Sequence, residues 1–180
     1  MGAKKFVKAL ARGAMVATVV ASPAAFAAVD MFMKIDGIPG ESVDSKHKGD
    51  IDVLAWSWGS SSSSSATSKQ AGCVKVQDLS FSKYFDIATP KLISSMATGR
   101  TIASAKLTVR KSGDNPLEYI TIEMNNVVVT SSATGGSGGE DRLTENVSLN
   151  FASATVRYTP QNANGSGGAP IPGDIATTCK

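Results

Sequence analysis

The stretch Ile51-Asp52-Val53-Leu54-Ala55-Trp56-Ser57-Trp58 decides how the rest of the chain is read. Period-two alternation makes it a strand, with Asp52, Leu54, Trp56 and Trp58 on one face and Ile51, Val53, Ala55 and Ser57 on the other. Both faces are then partly apolar, which predicts a strand covered on two sides. The two tryptophans fill a core or an interface, or else form a platform on which a carbohydrate stacks.

The same alternation recurs on either side. Val29, Met31, Met33 and Ile35 share a face of an earlier strand, ended by Gly37-Ile38-Pro39-Gly40. A charged polar connection, Glu41 to Asp50, joins the two. Downstream, residues 59–69 contain six consecutive serines, Ser60 to Ser65. Such a segment buries too little apolar surface to offset its ordering entropy, so a flexible loop is expected. A strand from Val74 to Phe81 follows. Thr89-Pro90 reads as the N-cap and first-turn proline of a short helix that ends near Gly99, with Leu92, Ile93 and Met96 as its apolar stripe.

Four further strands complete the pattern. Ala103, Ala105, Leu107 and Val109 alternate up to a turn at Lys111-Ser112-Gly113-Asp114-Asn115-Pro116. Ile120, Ile122 and Met124 come next, and Val127 to Val129 continue them or pair beside them. The last strand runs through Val147, Leu149 and Phe151, then changes phase near Ala152 to Ala154 before Val156 and Tyr158. A phase change inside a long strand predicts a bulge or bend. The tail, residues 161–180, is rich in Gly, Pro, Asn and Ala and is expected to be flexible. Seven or so strands with one helix point to a compact β-barrel or sandwich.

Residues 1–27 read as a cleaved signal peptide. Lys4, Lys5, Lys8 and Arg12 precede an apolar run, Ser22-Pro23 breaks it, and Ala25-Phe26-Ala27 supplies a small-x-small cleavage pattern. The run is far shorter than the roughly 20 residues of a membrane-spanning helix. The chain is therefore expected in the periplasm or outside the cell, with no membrane insertion. Four of the 18 basic residues lie in the leader, leaving 14 against 15 acidic ones. That near-neutral balance gives no support for nucleic-acid binding. Two cysteines in an exported chain, Cys73 and Cys179, are disulfide candidates within one subunit or between two.

Sites of chemistry are sparse. His47, the one histidine, lies in a polar loop and reads as a solvated side chain, because a metal site or a triad needs partners at fixed spacing. Gly135 to Gly139 lack the Gly-Lys-Ser/Thr ending of a phosphate loop and are followed by acids. Glu140 and Asp141 read as solvated loop acids. No metal, cofactor or catalytic residue is expected.

Long stretches of the chain resemble the hemolysin-coregulated proteins (Hcp) of type VI secretion systems. They include Ala28 to Phe32, Gly40-Glu41-Ser42, Ile51 to Trp58, Val76 to Phe81, Leu107 to Lys111 and Ser132 to Phe151. The densest is Thr134-Gly135-Gly136-Ser137-Gly138-Gly139-Glu140-Asp141-Arg142-Leu143-Thr144-Glu145-Asn146-Val147. The resemblance implies a mainly β fold: a β-barrel of two packed antiparallel sheets with one flanking short helix, over residues 28–160. It implies a homo-hexameric ring that stacks into a hollow tube, works with sheath and spike, and holds small effectors in its lumen. Ser57 matches the family's lumen-facing, effector-binding serine. Trp56, Trp58, Glu140, Asp141 and Arg142 are candidates for contacts between subunits. The leader supports an alternative: an exported Hcp-like polymer, or a secreted binding module, independent of a contractile apparatus.

Overall fold

The computed structural model describes residues 29–62, 74–113, 115–139 and 141–176. The leader, Cys73, Cys179, Asp114 and Glu140 therefore lie outside the described residues, and so does the cysteine pairing. Nine strands and one helix follow in the order β1 (Val29–Ile35), β2 (Ile51–Ser57), β3 (Ser60–Ser62), β4 (Val74–Val76), β5 (Leu79–Tyr84), α1 (Ala88–Thr98), β6 (Ile102–Lys111), β7 (Leu117–Gly135), β8 (Thr144–Tyr158) and β9 (Ile171–Ala176). The fold is mainly β, as the alternation requires.

The strand order β5-β2-β1-β6-β7-β8 returns to β5 through a β5–β8 pairing, so six antiparallel strands close a barrel. Closure removes most of the unpaired edge that an open sheet would present. β9 adds to the C-terminal half of β8, and β3 with β4 forms a separate two-stranded ribbon. One apolar cluster fills the interior, drawn from every barrel strand and from Ala88 and Leu92 of the helix.

β2 departs from strict alternation. Its register against β5 runs Val53 to Lys83 and then Ala55 to Ser82, so Leu54 is an extra residue with no counterpart. The bulge turns the strand over by one position. Ile51 and Val53 face the core before it, and Trp56 and Trp58 pack against the core after it. Asp52, Leu54, Ala55 and Ser57 all remain exposed. The expectation of a two-sided apolar strand is therefore corrected: one face is apolar, and the bulge gathers it.

Long strands carry the second irregularity. Buried positions on β8 run Glu145, Val147, Leu149, Phe151 and then Ala154; on β7 they pass from Ile122 and Met124 to Val127 and Val129; on β6 they pass from Ile102 to Ala105 and Leu107. All three changes of phase fall on one row, where Ser104 pairs with Asn125 and Asn125 with Ser153. Asn126, next to this row on β7, holds φ at 53°, a left-handed conformation that asparagine tolerates better than most residues. The bend expected in the last strand thus crosses three strands. It divides the barrel into a wall of β2, β5 and the near halves of β8 and β7, and a wall of β1, β6, the other halves of β7 and β8, and β9.

Four local expectations change. The strand expected from Val74 to Phe81 breaks at Gln77-Asp78 into β4 and β5. Within the serine loop, Ser60–Ser62 pair with Val74–Val76 as β3 and β4. The tail carries β9, whose Pro172 and Gly173 disguise a strand in composition. At the helix start Asp86, not Thr89, does the capping: its Oδ1 accepts the Ala88 N–H at 2.8 Å, and Thr89 Oγ1 accepts the Asp86 N–H in return. Leu92 is fully buried and Met96 half-buried, but Ile93 is 41% exposed. Gly99 ends the helix at φ 62°, with Arg100 N–H donating to Ser95 O.

Candidate functional site

The outward face of the β2–β5–β8–β7 wall is the candidate site. Register sets Ser57 opposite Ser80, Ser80 opposite Ser148, and Ser148 opposite Ser131, a row of four serines across four strands. The next row reads Ala55, Ser82, Asn146 and Ala133. Ser80 and Ser148 join hydroxyl to hydroxyl at 2.8 Å, and Ser82 donates to Asn146 Oδ1. A shallow depression is lined by Ala55, Ser57, Ser80, Ser82 and Asn146. At the margin, Asp78 accepts hydrogen bonds from Thr130 and Asn150. The two rows hold no ionisable side chain. Across these two rows the face can hydrogen-bond but offers nothing charged.

The opposite wall differs in kind. Lys34 pairs in register with Lys106, Lys106 with Glu123, and Glu123 with Thr155, which donates to Asp174. Lys106 reaches Glu123 at 3.2 Å, and Arg157 closes on the same carboxylate. The Arg157 and Lys106 cations hold the Glu123 carboxyl below its ordinary range against a partial desolvation.

The sequence-predicted residues divide accordingly. Ser57 sits exposed at the end of β2, pointing away from the half-buried tryptophans. Trp58 donates its indole N–H to Gln77 O at 3.0 Å and tilts against Phe151 at 5.9 Å between ring centroids. Core packing thus accounts for much of both tryptophan surfaces. Asp141 and Arg142 are exposed in the β7–β8 connection, where the Arg142 guanidinium lies 3.9 Å above the Tyr84 ring.

His47 is a correction. It is 9% exposed, with its ring stacked on Phe32 at 4.1 Å and 10° between planes. The connection that carries it, residues 41–50, lies as a strap over β1, β6 and β7. Arg110 of β6 grips the strap with two bonds to Asp44, at 3.0 and 2.6 Å, and also holds Asp30 at 2.9 Å. A solvated reading failed because Phe32, which stacks on the ring, and Glu118, which faces its Nε2 at 3.3 Å, are remote in sequence.

Arg110 and the backbone N–H groups of Lys46 and His47 hold the Asp44 carboxyl well below the usual carboxylate range. A depressed folded value stabilises above the unfolded value near pH 4 and is lost only as the pH falls through the folded one. The Asp44–Arg110 contact should therefore be unchanged from pH 8 to pH 4. Carboxyl-carbon NMR of Asp44 should show no titration step in that interval, and a step above pH 4 would refute it.

A second buried group was legible but missed. Lys83 lies two residues from Phe81 and Glu145 two from Val147, each on the apolar phase of its strand, and the two pair in register. Both side chains are fully buried. Lys83 Nζ lies 2.6 Å from Glu145 Oε1 and 2.6 Å from Asp86 Oδ1, and it donates to Thr89 Oγ1 at 3.0 Å. Opposite charges on the core phase of two strands were the available signal.

Among the described residues no cluster of His, Cys, Asp and Glu could hold a metal ion, and no helix is long and apolar enough to cross a membrane. The fold has close relatives among solved structures. Residues 32–158 match the family described as "Type VI secretion system effector, Hcp", and the chain belongs to the Hcp family of type VI secretion proteins. It is 54% identical over 149 residues to protein Hcp1 of Pseudomonas aeruginosa, covering 80% of this chain and 92% of that one. Hcp1 from Salmonella typhimurium superposes with a TM-score of 0.69 at 35% identity, over 84% of this chain and 96% of that one. A type VI secretion system effector from Yersinia pestis gives 0.69 and 35%, over 82% and 99%.

Proposed function

We propose that this chain is a structural, non-enzymatic subunit that closes into a homo-hexameric ring and stacks into a hollow tube, with Ser57 facing the lumen. Family membership, at 54% identity across most of Hcp1, is the observation that carries the reading. The chemistry of the walls supports it. A lumen faced by small hydroxyls and amides lets cargo of either charge move without ion pairing, and it leaves hydrogen bonds for a small effector that docks at Ser57. The charged wall of Lys34, Lys106, Glu123 and Arg157 suits an outer surface that meets water or a sheath. Glu140, Asp141 and Arg142 remain proposed contacts between copies, as do the partly exposed Trp56 and Trp58.

The domain at residues 28–160 follows a leader, residues 1–27, that is proposed to direct export. That leader favours a second reading, in which the same rings polymerise outside the cytoplasm without a contractile apparatus. Both readings require the ring. Size exclusion with light scattering on the chain from Ala28 onward should give six copies per particle. A monomer at micromolar concentration would overturn both.

A further inference from the structure

The strap at residues 41–50 is tied to itself by backbone bonds, Gly40 N–H to Gly49 O at 2.8 Å, Ser42 N–H to Asp50 O at 3.0 Å and Gly49 N–H to Ser42 O at 2.9 Å. Near its tip it grips the barrel wall at two points. One is the Asp44–Arg110 pair, held by bonds of 3.0 and 2.6 Å. The other is His47, whose ring stacks on Phe32 of β1.

Both ring nitrogens of His47 face carboxylates. Nδ1 lies 3.0 Å from Asp50 Oδ2 on the strap itself, and Nε2 lies 3.3 Å from Glu118 Oε1 on β7. An ionised carboxylate only accepts hydrogen bonds, and a neutral imidazole carries one N–H. With one proton on the ring, one nitrogen lone pair must confront a carboxylate. In the described arrangement Nε2 is buried and makes no hydrogen bond of good geometry. A second proton on the ring converts that contact into a charge-assisted bond between strap and wall.

The surrounding charges do not cancel this preference. From β6, Arg110 approaches the Phe32 ring at 5.0 Å, but Asp44 and Asp30 take up its guanidinium. On the strap, Lys46 and Lys48 are exposed. From β1, Asp30 adds a negative charge nearby, bonded to Arg110 and Ser112. The carboxylates of Asp50 and Glu118 are the groups in direct contact with the ring.

We propose that the strap is a proton-sensitive clamp: taking up a proton at His47 fastens residues 44–48 to β7 through Glu118, and losing it loosens them and uncovers Phe32. The sign follows from the geometry. Docking favours the charged ring, so the clamp is tight while the ring carries two protons and slackens when one is lost.

Amide hydrogen exchange on the full mature chain, corrected for intrinsic rates, tests this between pH 5.5 and 8. Protection of residues 44–48 should fall by up to about fivefold toward pH 8, the size of one half-exposed ion pair. Glu118→Gln should abolish that pH dependence, and His47→Gln should do the same. Asp44→Asn should loosen the strap at every pH and keep the dependence. Flat protection in the native chain, or a pH dependence that persists unchanged in Glu118→Gln, would overturn the proposal.

Discussion

Lys83→Met should destabilise the domain by about 3–5 kcal/mol, the cost of leaving a buried charge without its partner. The substitution keeps the volume of the stem and removes only the ammonium, which bonds Glu145, Asp86, Thr89 and the Tyr84 carbonyl. Glu145 is fully buried and Asp86 nearly so, and Glu145 Oε2 already lacks a partner. Without the ammonium, two carboxylates face each other across the start of α1. For a domain of this size the melting temperature should drop by roughly 6–20 °C. Glu145→Gln in the same background should recover part of the loss, since it removes one orphaned charge, and a double-mutant cycle measures the coupling. A loss below 1 kcal/mol for Lys83→Met would mean that water or rearrangement already solvates the site.

The other large effect belongs to Phe151→Ala, expected at about 3–5 kcal/mol by thermal or denaturant unfolding. Phe151 is 2% exposed, packs against Trp58, and sits on the row that joins Ile102 and Val127, just beyond the bend. Closure of the barrel holds the surrounding strands in place, so the cavity cannot collapse easily. Tyr158→Ala, at a position 49% exposed on the same strand, should stay within about 0.5 kcal/mol and serves as the comparison. Equal losses at the two positions would show that the bend relaxes around the missing ring.

How much of this was readable before the structure depends on the range of each interaction. Alternation along Val29 to Ile35 and Ala103 to Val109 is local, and both strands formed where expected. The phase change near Ala152 was also local and visible. The bulge at Leu54 was not, because one extra residue has meaning only against the register of β5. β9 was hidden because pairing with β8, rather than its own Pro- and Gly-containing composition, makes it a strand. At the candidate site, Ser57 was assigned through likeness to Hcp, but its row with Ser80, Ser148 and Ser131 needed the strand order. His47 looked solvated for the same reason: Phe32 and Glu118 reach it from β1 and β7.

The row of phase changes through Ser104, Asn125 and Ser153 also bears on heredity. A one-residue deletion there in β6 alone would shift the start of that strand by one place, moving Ile102 out of its core position toward water. Restoring the pattern would require matching deletions in β7 and β8, three edits at distant places in the gene, each harmful until the others arrive. Connections between strands can lengthen or shorten singly. These three segments can change length only together, so descent should preserve their spacing long after it has rewritten the residues they carry.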